Sequence, residues 1–307
     1  MRSSEAQTAS DVVAAAQLAC LLEATAPKPG NVSPDRDFAD LTYEDLLASA
    51  AAIGGPLAGA GERPLGTTIR LAIEATGRWT RSNTNLGMVL LLAPLARAAV
   101  LSGKGVGTLF LADRAQKKSP DPFSAIRDAT RRVLAATTVD DAREVYAAIR
   151  LASPGGLGHV DEQDVADEPS VTLLDAMRLA AGRDGIANEY ATGFAVTFEI
   201  GAPVLQRARS DGLGWSDAIV ETFLTILASG PDSHIARRGG AALAADVSRR
   251  AHAAVAAGGV RTEEGRRAIA ETDRALRDPR HLANPGTTAD LMAAAIFVVL
   301  VDGIMKT

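Results

Sequence analysis

Apolar residues recur at helical spacing along most of this chain. Val12, Val13, Ala16, Ala19, Cys20 and Leu22 line one side of a helix predicted from Asp11 to about Ala24, with Ser10 as its cap and Pro27 as its stop. Thr42 with Asp45 predicts a capping box for a helix through Leu46, Leu47, Ala50 and Ile53, which Gly54-Gly55-Pro56 breaks or kinks. A third helix is predicted from about Leu65 to Trp79, with Ile69, Ala72 and Ile73 facing inward. Met88-Val-Leu-Leu-Leu-Ala is apolar on every side, the mark of a central helix. Lys104 to Pro122 reads as polar loop. Helices follow at about Pro122–Ala136 and, capped by Thr138 with Asp141, at Asp140–Leu151.

The second half continues the pattern. Thr172 with Asp175 caps a helix through Met177 to Ala181, and Asp184–Arg209 reads as one long helix bent near Pro203. Trp215–Leu227 is apolar, and helices run on to about Ala257 and from Thr262 to Leu276. Thr287 and Asp290 are spaced as a capping box for the C-terminal apolar helix. No stretch signals a strand, a repeat of fixed period or a low-complexity linker. The expectation is a single all-α domain over residues 1–307, built from roughly ten to thirteen helices.

Composition sharpens this picture. Hydrophobic residues make up 47% of the chain and aromatics 4%, with alanine and leucine favouring helix. A formal net charge of −5 argues against nucleic-acid binding by bulk charge. Cys20 is the single cysteine and falls on an apolar face, which suits a core residue in a reducing compartment. No leader segment is expected, and Leu86–Leu101 and Leu291–Val301 are read as core rather than as bilayer spans. A cytoplasmic location follows as an expectation. The alanine-rich faces would also serve a homodimer interface.

Four stretches carry candidate chemistry. Glu23-Ala-Thr-Ala-Pro-Lys-Pro-Gly30, followed by Asp35-Arg36-Asp37 and Asp40, is a stiff, charged, non-helical segment between two helices. Arg81-Ser-Asn83-Thr84-Asn85 leads directly into the central helix, where the residues either cap the helix or hold a phosphate at its free N–H groups. Ser153 to Gly158 is glycine-rich but lacks the Gly-Lys-Ser/Thr ending of a Walker A loop, and the acids after His159 read as a solvated loop or a metal cage. Gly230-Pro-Asp232-Ser-His-Ile-Ala-Arg-Arg238-Gly-Gly240 gathers an aspartate, a histidine and two arginines in a short span.

Taken in order, these motifs resemble the triphosphoribosyl-dephospho-CoA synthase family, which is all-helical. Glu23-Ala-Thr-Ala-Pro-Lys-Pro-Gly30 is similar to its E-x-x-x-x-P-K-P-G, and Arg36-Asp37 falls within its G-A-H-x-D-M. Asn83-Thr84-Asn85-Leu86-Gly87 stands where the family has N-T-H-K-G, and Gly185 through Glu189 to Phe194 where it has G-A-R-x-E-A-x-x-G-F. Asp232 through Gly240 resembles D-T-N-x-x-x-R-G-G, and Asn284 to Leu291 the terminal S-P-G-G-S-A-D-L-L.

The resemblance implies that the ribose 2′-hydroxyl of dephospho-CoA attacks the anomeric carbon of ATP, with release of adenine and retention of the triphosphate. It implies Mg²⁺ as cofactor and ATP and dephospho-CoA, or a related acceptor, as partners. Such chemistry calls for a base, charge near an oxocarbenium-like centre and cations for phosphate. Asp37, Glu189 and Asp35 are the catalytic candidates. Glu23, Asp35, Asp37, Asp40, Glu62 and Glu189 are the candidate metal carboxylates. Lys28, Arg36, Arg81, Asn83, Thr84, Asn85, Asp232 and Arg238 are the candidate substrate contacts.

The chain also departs from the pattern. Asn85-Leu86 and Ala187 replace two cations and Asp35 replaces a histidine. Each lost cation removes a phosphate bond worth roughly 1.5–3 kcal/mol. A nucleotide or N-glycoside hydrolase and a non-catalytic nucleotide-binding protein are therefore the alternative readings.

Overall fold

The computed structural model describes residues 2–103 and 121–306. The predicted loop at 104–120 lies outside the described residues. Among the described residues every regular element is a helix, and the only extended pairings are the isolated bridges Ser33–Arg36 and Phe38–Leu41. The number of helices is slightly above the expected range: the helix predicted over 184–209 is divided, and Gly54–Ala58, expected to interrupt a helix, forms a short helix of its own.

Helices α1 (Arg2–Thr25), α2 (Tyr43–Ala52), α3 (Gly54–Ala58), α4 (Leu65–Thr76) and α5 (Leu86–Gly103) form the first half. Beyond 121 come α6 (Ser124–Ala135), α7 (Val139–Ala152), α8 (Leu173–Ala180) and α9 (Gly185–Thr192). A π-helical turn at Val196–Gly201 then leads into α10 (Ala202–Ser210) and α11 (Trp215–Ser229). The short α12 (Ser233–Gly239), α13 (Ala241–Ala256), α14 (Glu263–Leu276) and α15 (Gly286–Lys306) complete the chain.

Two helices make the axis of the core. Leu91, Leu92, Leu95 and Ala96 of α5 are fully buried, as is the run from Met292 to Val298 of α15. The two helices pack on each other, and α15 also packs against α1, α10 and α11. Alanine at many of these positions lets the helix axes approach closely. Gly286–Gly303 has the length and apolarity of a membrane span, longer than the Leu291–Val301 measured from sequence, and 67% of it is buried in this core.

Local signals act where expected at several helix starts. Thr42 with Asp45 and Thr138 with Asp141 make complete capping boxes, and Thr172 accepts from the Asp175 N–H. Ser10 does not start α1, which begins at Arg2. The predicted long helix over 184–209 breaks ten residues before Pro203, at Gly193 and Phe194, whose φ values are +70° and +65°. Two successive left-handed residues cannot continue a right-handed helix. Pro203 sits harmlessly in the first turn of α10, where its missing N–H costs nothing.

Candidate functional site

The stiff segment after α1 folds back on itself. Lys28 is buried, with Nζ 3.1 Å from Glu23 Oε1, and it donates to the carbonyl oxygens of Ala26 (3.0 Å) and Glu23. Those three contacts use all the donors an ammonium has. Lys28 thus closes the C-terminal end of α1. Gly30 has φ +77°, and a methyl group there would meet Leu276 and Pro285. The Gly30 N–H donates to Asp273 and the Asn31 amide to Asn284 Oδ1 (2.7 Å). The first and last sequence motifs are therefore in contact.

The same end of the bundle opens into a cleft of about 1080 Å³. The first turns of α5, α9 and α15 meet on its floor, with Pro231, Ser233 and His234 between them. Val145 and Ile149 of α7 with Leu173 and Met177 of α8 give an apolar wall. The floor is knotted by hydrogen bonds. Ser233 Oγ accepts from the Gly185 N–H (2.9 Å) and pairs with Thr287 Oγ1 (2.9 Å), which accepts from the His234 N–H (3.2 Å). Thr287 and Asp290 consequently make no capping box: α15 starts at Gly286, and the threonine hydroxyl is used across the floor.

Asp184 caps α9 by accepting from the Ile186 and Ala187 N–H groups (2.9 and 3.0 Å) and takes a 3.0 Å bond from Arg237. Asp290 differs. Its carboxyl opens onto the cleft, abuts Gly87 at the start of α5, and has no hydrogen bond or ion pair among the described residues. A methyl group on Gly87 would lie 1.9 Å from Asp290 Oδ2. Burial, then the negative charge of Glu23, Asp232 and Asp184, pushes the Asp290 carboxyl well above the usual carboxylate range, against the pull of Arg237. His234 is pushed down to about 4 by burial and by Arg237 and Arg238, so it is neutral at neutral pH.

The candidates singled out from sequence are dispersed around this cleft. Asn83, which accepts from the Leu86 N–H, lines it. Thr84, Asn85 and Glu23 line a separate small cavity behind it, and Asn85 donates to Thr76 Oγ1. Glu189 is fully buried and accepts from the backbone N–H groups of Val196 (2.8 Å) and Thr197 (2.9 Å) and from the Thr197 hydroxyl, so it anchors the π-helical turn. Asp232 staples two helix starts, accepting from the Ile235 N–H and from the N–H and hydroxyl of Thr288.

Arg238 points away, towards the carbonyls of Arg280 and His281. Arg36 pairs with Asp273 at 3.2 Å, and Asp37 accepts from the Tyr43 N–H. Asp35, Asp40, Glu62 and Arg81 are exposed and line neither cavity. The six expected metal carboxylates do not converge, and no group of three potential ligands stands together among the described residues. The cleft instead presents Asp184, Asp290, Ser233, His234, Thr287 and Arg237. Of these, Asp290 was legible as a helix cap and as the aspartate of the terminal motif but not as a free carboxyl on the cleft, and Asp184 carried no signal beyond its place before Gly185. Leu86 and Ala187, which stand where the resembled family carries cations, line the cleft, and Arg150, Arg183 and Arg237 are the arginines that line it.

Several helix starts, a carboxyl and three arginines face one cleft of an all-helical scaffold, an arrangement that can receive an anionic organic ligand. The chain is a member of the ATP:dephospho-CoA triphosphoribosyl transferase (CitG) family, whose profile matches residues 9–307. A "Probable 2-(5''-triphosphoribosyl)-3'-dephosphocoenzyme-A synthase" of Pseudomonas putida is 34% identical over 137 residues, 43% of this chain and 48% of that protein. Its namesake from Pseudomonas aeruginosa (strain UCBPP-PA14) is 33% identical over 136 residues, 43% and 46% of the two chains. The chain thus spans about half the length of the curated relatives it matches. A crystal structure from Archaeoglobus fulgidus, described as a provisional triphosphoribosyl-dephospho-CoA synthase, superposes with a TM-score of 0.60 at 27% identity. It covers 84% of this chain and 99% of that one.

Proposed function

We propose that this protein transfers the triphosphoribosyl group of ATP to the 2′-hydroxyl of dephospho-CoA or a closely related acceptor, releasing adenine. The observation that carries the reading is the cleft where the starts of α5, α9 and α15 meet, in a chain that belongs to this transferase family. The positive ends of the three helix dipoles suit phosphate oxygens, although caps already engage their first N–H groups, and Arg183 and Arg237 stand on the same cleft to pair with them. The apolar wall of α7 and α8 suits a nucleobase or the pantetheine arm. In the reaction the acceptor oxygen bonds to the anomeric carbon as the bond from that carbon to adenine breaks, and the triphosphate stays on the ribose.

Magnesium belongs to the proposal through the triphosphate. The carboxylates expected to cage it do not gather, so the chemistry is assigned to the chain's own groups. Leu86 and Ala187 remove two cations from the cleft wall, which makes water a competing acceptor if dephospho-CoA is held weakly. Mass-spectrometric product analysis with ATP and Mg²⁺, with and without dephospho-CoA, tests the reading. Adenine together with a triphosphoribosyl adduct of dephospho-CoA is the expected result. Adenine with free ribose triphosphate and no adduct overturns transfer in favour of hydrolysis.

A further inference from the structure

We propose that Asp290 is the general acid of this cleft, the carboxyl that delivers a proton to the departing nucleobase; the assignment rests on the transfer reading above. Four observations converge on it. Asp290 lies on the cleft in the first turns of the buried helix α15. It stands against Gly87 in the first turn of α5, where the close approach leaves no room for a side chain. It has no hydrogen-bond or salt-bridge partner among the described residues, whereas the neighbouring Asp184 and Asp232 are fully engaged as helix caps. The other unpartnered carboxyl on the cleft, Glu162, is exposed at its edge.

The charged and titratable groups around Asp290 also favour its acid form. Glu23 and Cys20 of α1, Asp232 before α12 and Asp184 before α9 face it, and each adds negative charge or a neutral thiol. Lys28 pairs with Glu23, and Arg237, the opposing cation, divides its charge between Asp184 and the cleft. His234 is neutral and cannot compensate. A carboxyl held as the acid with a free O–H is a donor waiting for an acceptor, and a purine nitrogen supplies one.

The balance is simple. The Asp290 proton passes to a ring nitrogen of adenine while the bond from the anomeric carbon to adenine breaks and its electron pair goes to the base. The new bond from the anomeric carbon to the acceptor oxygen forms, and the acceptor's hydroxyl proton leaves to water in the open cleft. Asp290 regains a proton from water after adenine departs.

The test uses Asp290→Asn in the full chain with two donors, ATP and 4-nitrophenyl riboside 5′-triphosphate, whose leaving group departs as a stable anion without a proton. The expected result is a fall in kcat of about 100-fold or more with ATP, the scale of general acid catalysis. With the nitrophenyl donor the fall should stay within about threefold. Stabilisation of the variant by bound ATP in thermal melts should match wild type. Equal losses with both donors, or undiminished turnover of ATP, overturn the assignment while leaving the transfer reading intact. A wild-type protein that releases no adenine from ATP overturns both. Should Asp290→Asn not fold, Gly87→Ala, which displaces the same carboxyl, takes its place with the same paired donors, a fall of at least about tenfold with ATP and within about threefold with the nitrophenyl donor being expected.

Discussion

Lys28→Met is the substitution that most sharply separates a structural lysine from a phosphate-binding one. Lys28 lies in a motif whose family resemblance suggests phosphate contact, yet its ammonium is buried 3.1 Å from Glu23 and donates to two carbonyls at the end of α1. Methionine fills the volume but leaves Glu23 without its cation and takes the side-chain donor from the Glu23 and Ala26 carbonyls, of which Ala26 keeps the backbone N–H of residue 28. Removing one partner of a buried pair costs about 3–5 kcal/mol.

The deficit should also depend on pH. Burial already raises the Glu23 pKa and Lys28 opposes the rise, so removing Lys28 raises it further. A carboxyl whose folded pKa lies above its unfolded value adds stability below the unfolded value and loses it as pH rises through the folded value. The variant's deficit against wild type is therefore largest near pH 8 and shrinks as pH falls towards 5. Guanidinium titrations at both pH values measure it, and the double variant Glu23→Gln/Lys28→Met should recover most of the loss. A deficit below about 1 kcal/mol at pH 8, accompanied by a large rise in KM for ATP, would refute the structural reading.

Other expectations follow from the same geometry. Gly87→Ala should cut adenine release at least tenfold while changing stability by less than about 1 kcal/mol, because the flexible Asp290 side chain yields rather than the backbone; activity and melting curves together check it. Glu189→Gln should cost about 3 kcal/mol in guanidinium titrations, since one amide oxygen cannot replace a carboxylate that accepts three bonds. Asp37→Asn should leave turnover within about twofold of wild type, because its carboxylate serves an exposed turn. Arg237→Ala should raise KM for ATP by about 10–100-fold, the worth of one charge-assisted phosphate bond, with a smaller change in kcat.

The fold was readable where its causes are local. Thr42 with Asp45 and Thr138 with Asp141 act within one turn of chain, so spacing alone reveals them. The two central helices announce themselves through the unbroken apolar runs over 88–96 and 291–301. The break after α9 was hidden because glycine inside a helical pattern is tolerated. What fixes the break is Glu189 reaching forward to the backbone of Val196 and Thr197.

The site was less legible for the same reason. Glu189, Asp232 and Lys28 stand in recognisable motifs, but charge in a motif does not tell whether a side chain faces a ligand or the chain's own helix ends. All three spend their charge on helix ends and turns. Asp290 looked like one half of a capping box, and its distinction appears only once α15 is set against Gly87 of α5.

The central claim is that the nucleotide occupies the cleft between the starts of α5, α9 and α15. Photolabelling of wild-type protein with 8-azido-ATP, followed by peptide mapping, tests it most directly. Label that excess ATP suppresses should fall on peptides spanning 145–188, 231–237 or 286–290. Label confined to the exposed segment at 34–40, or to the surface around Arg81, would contradict the account.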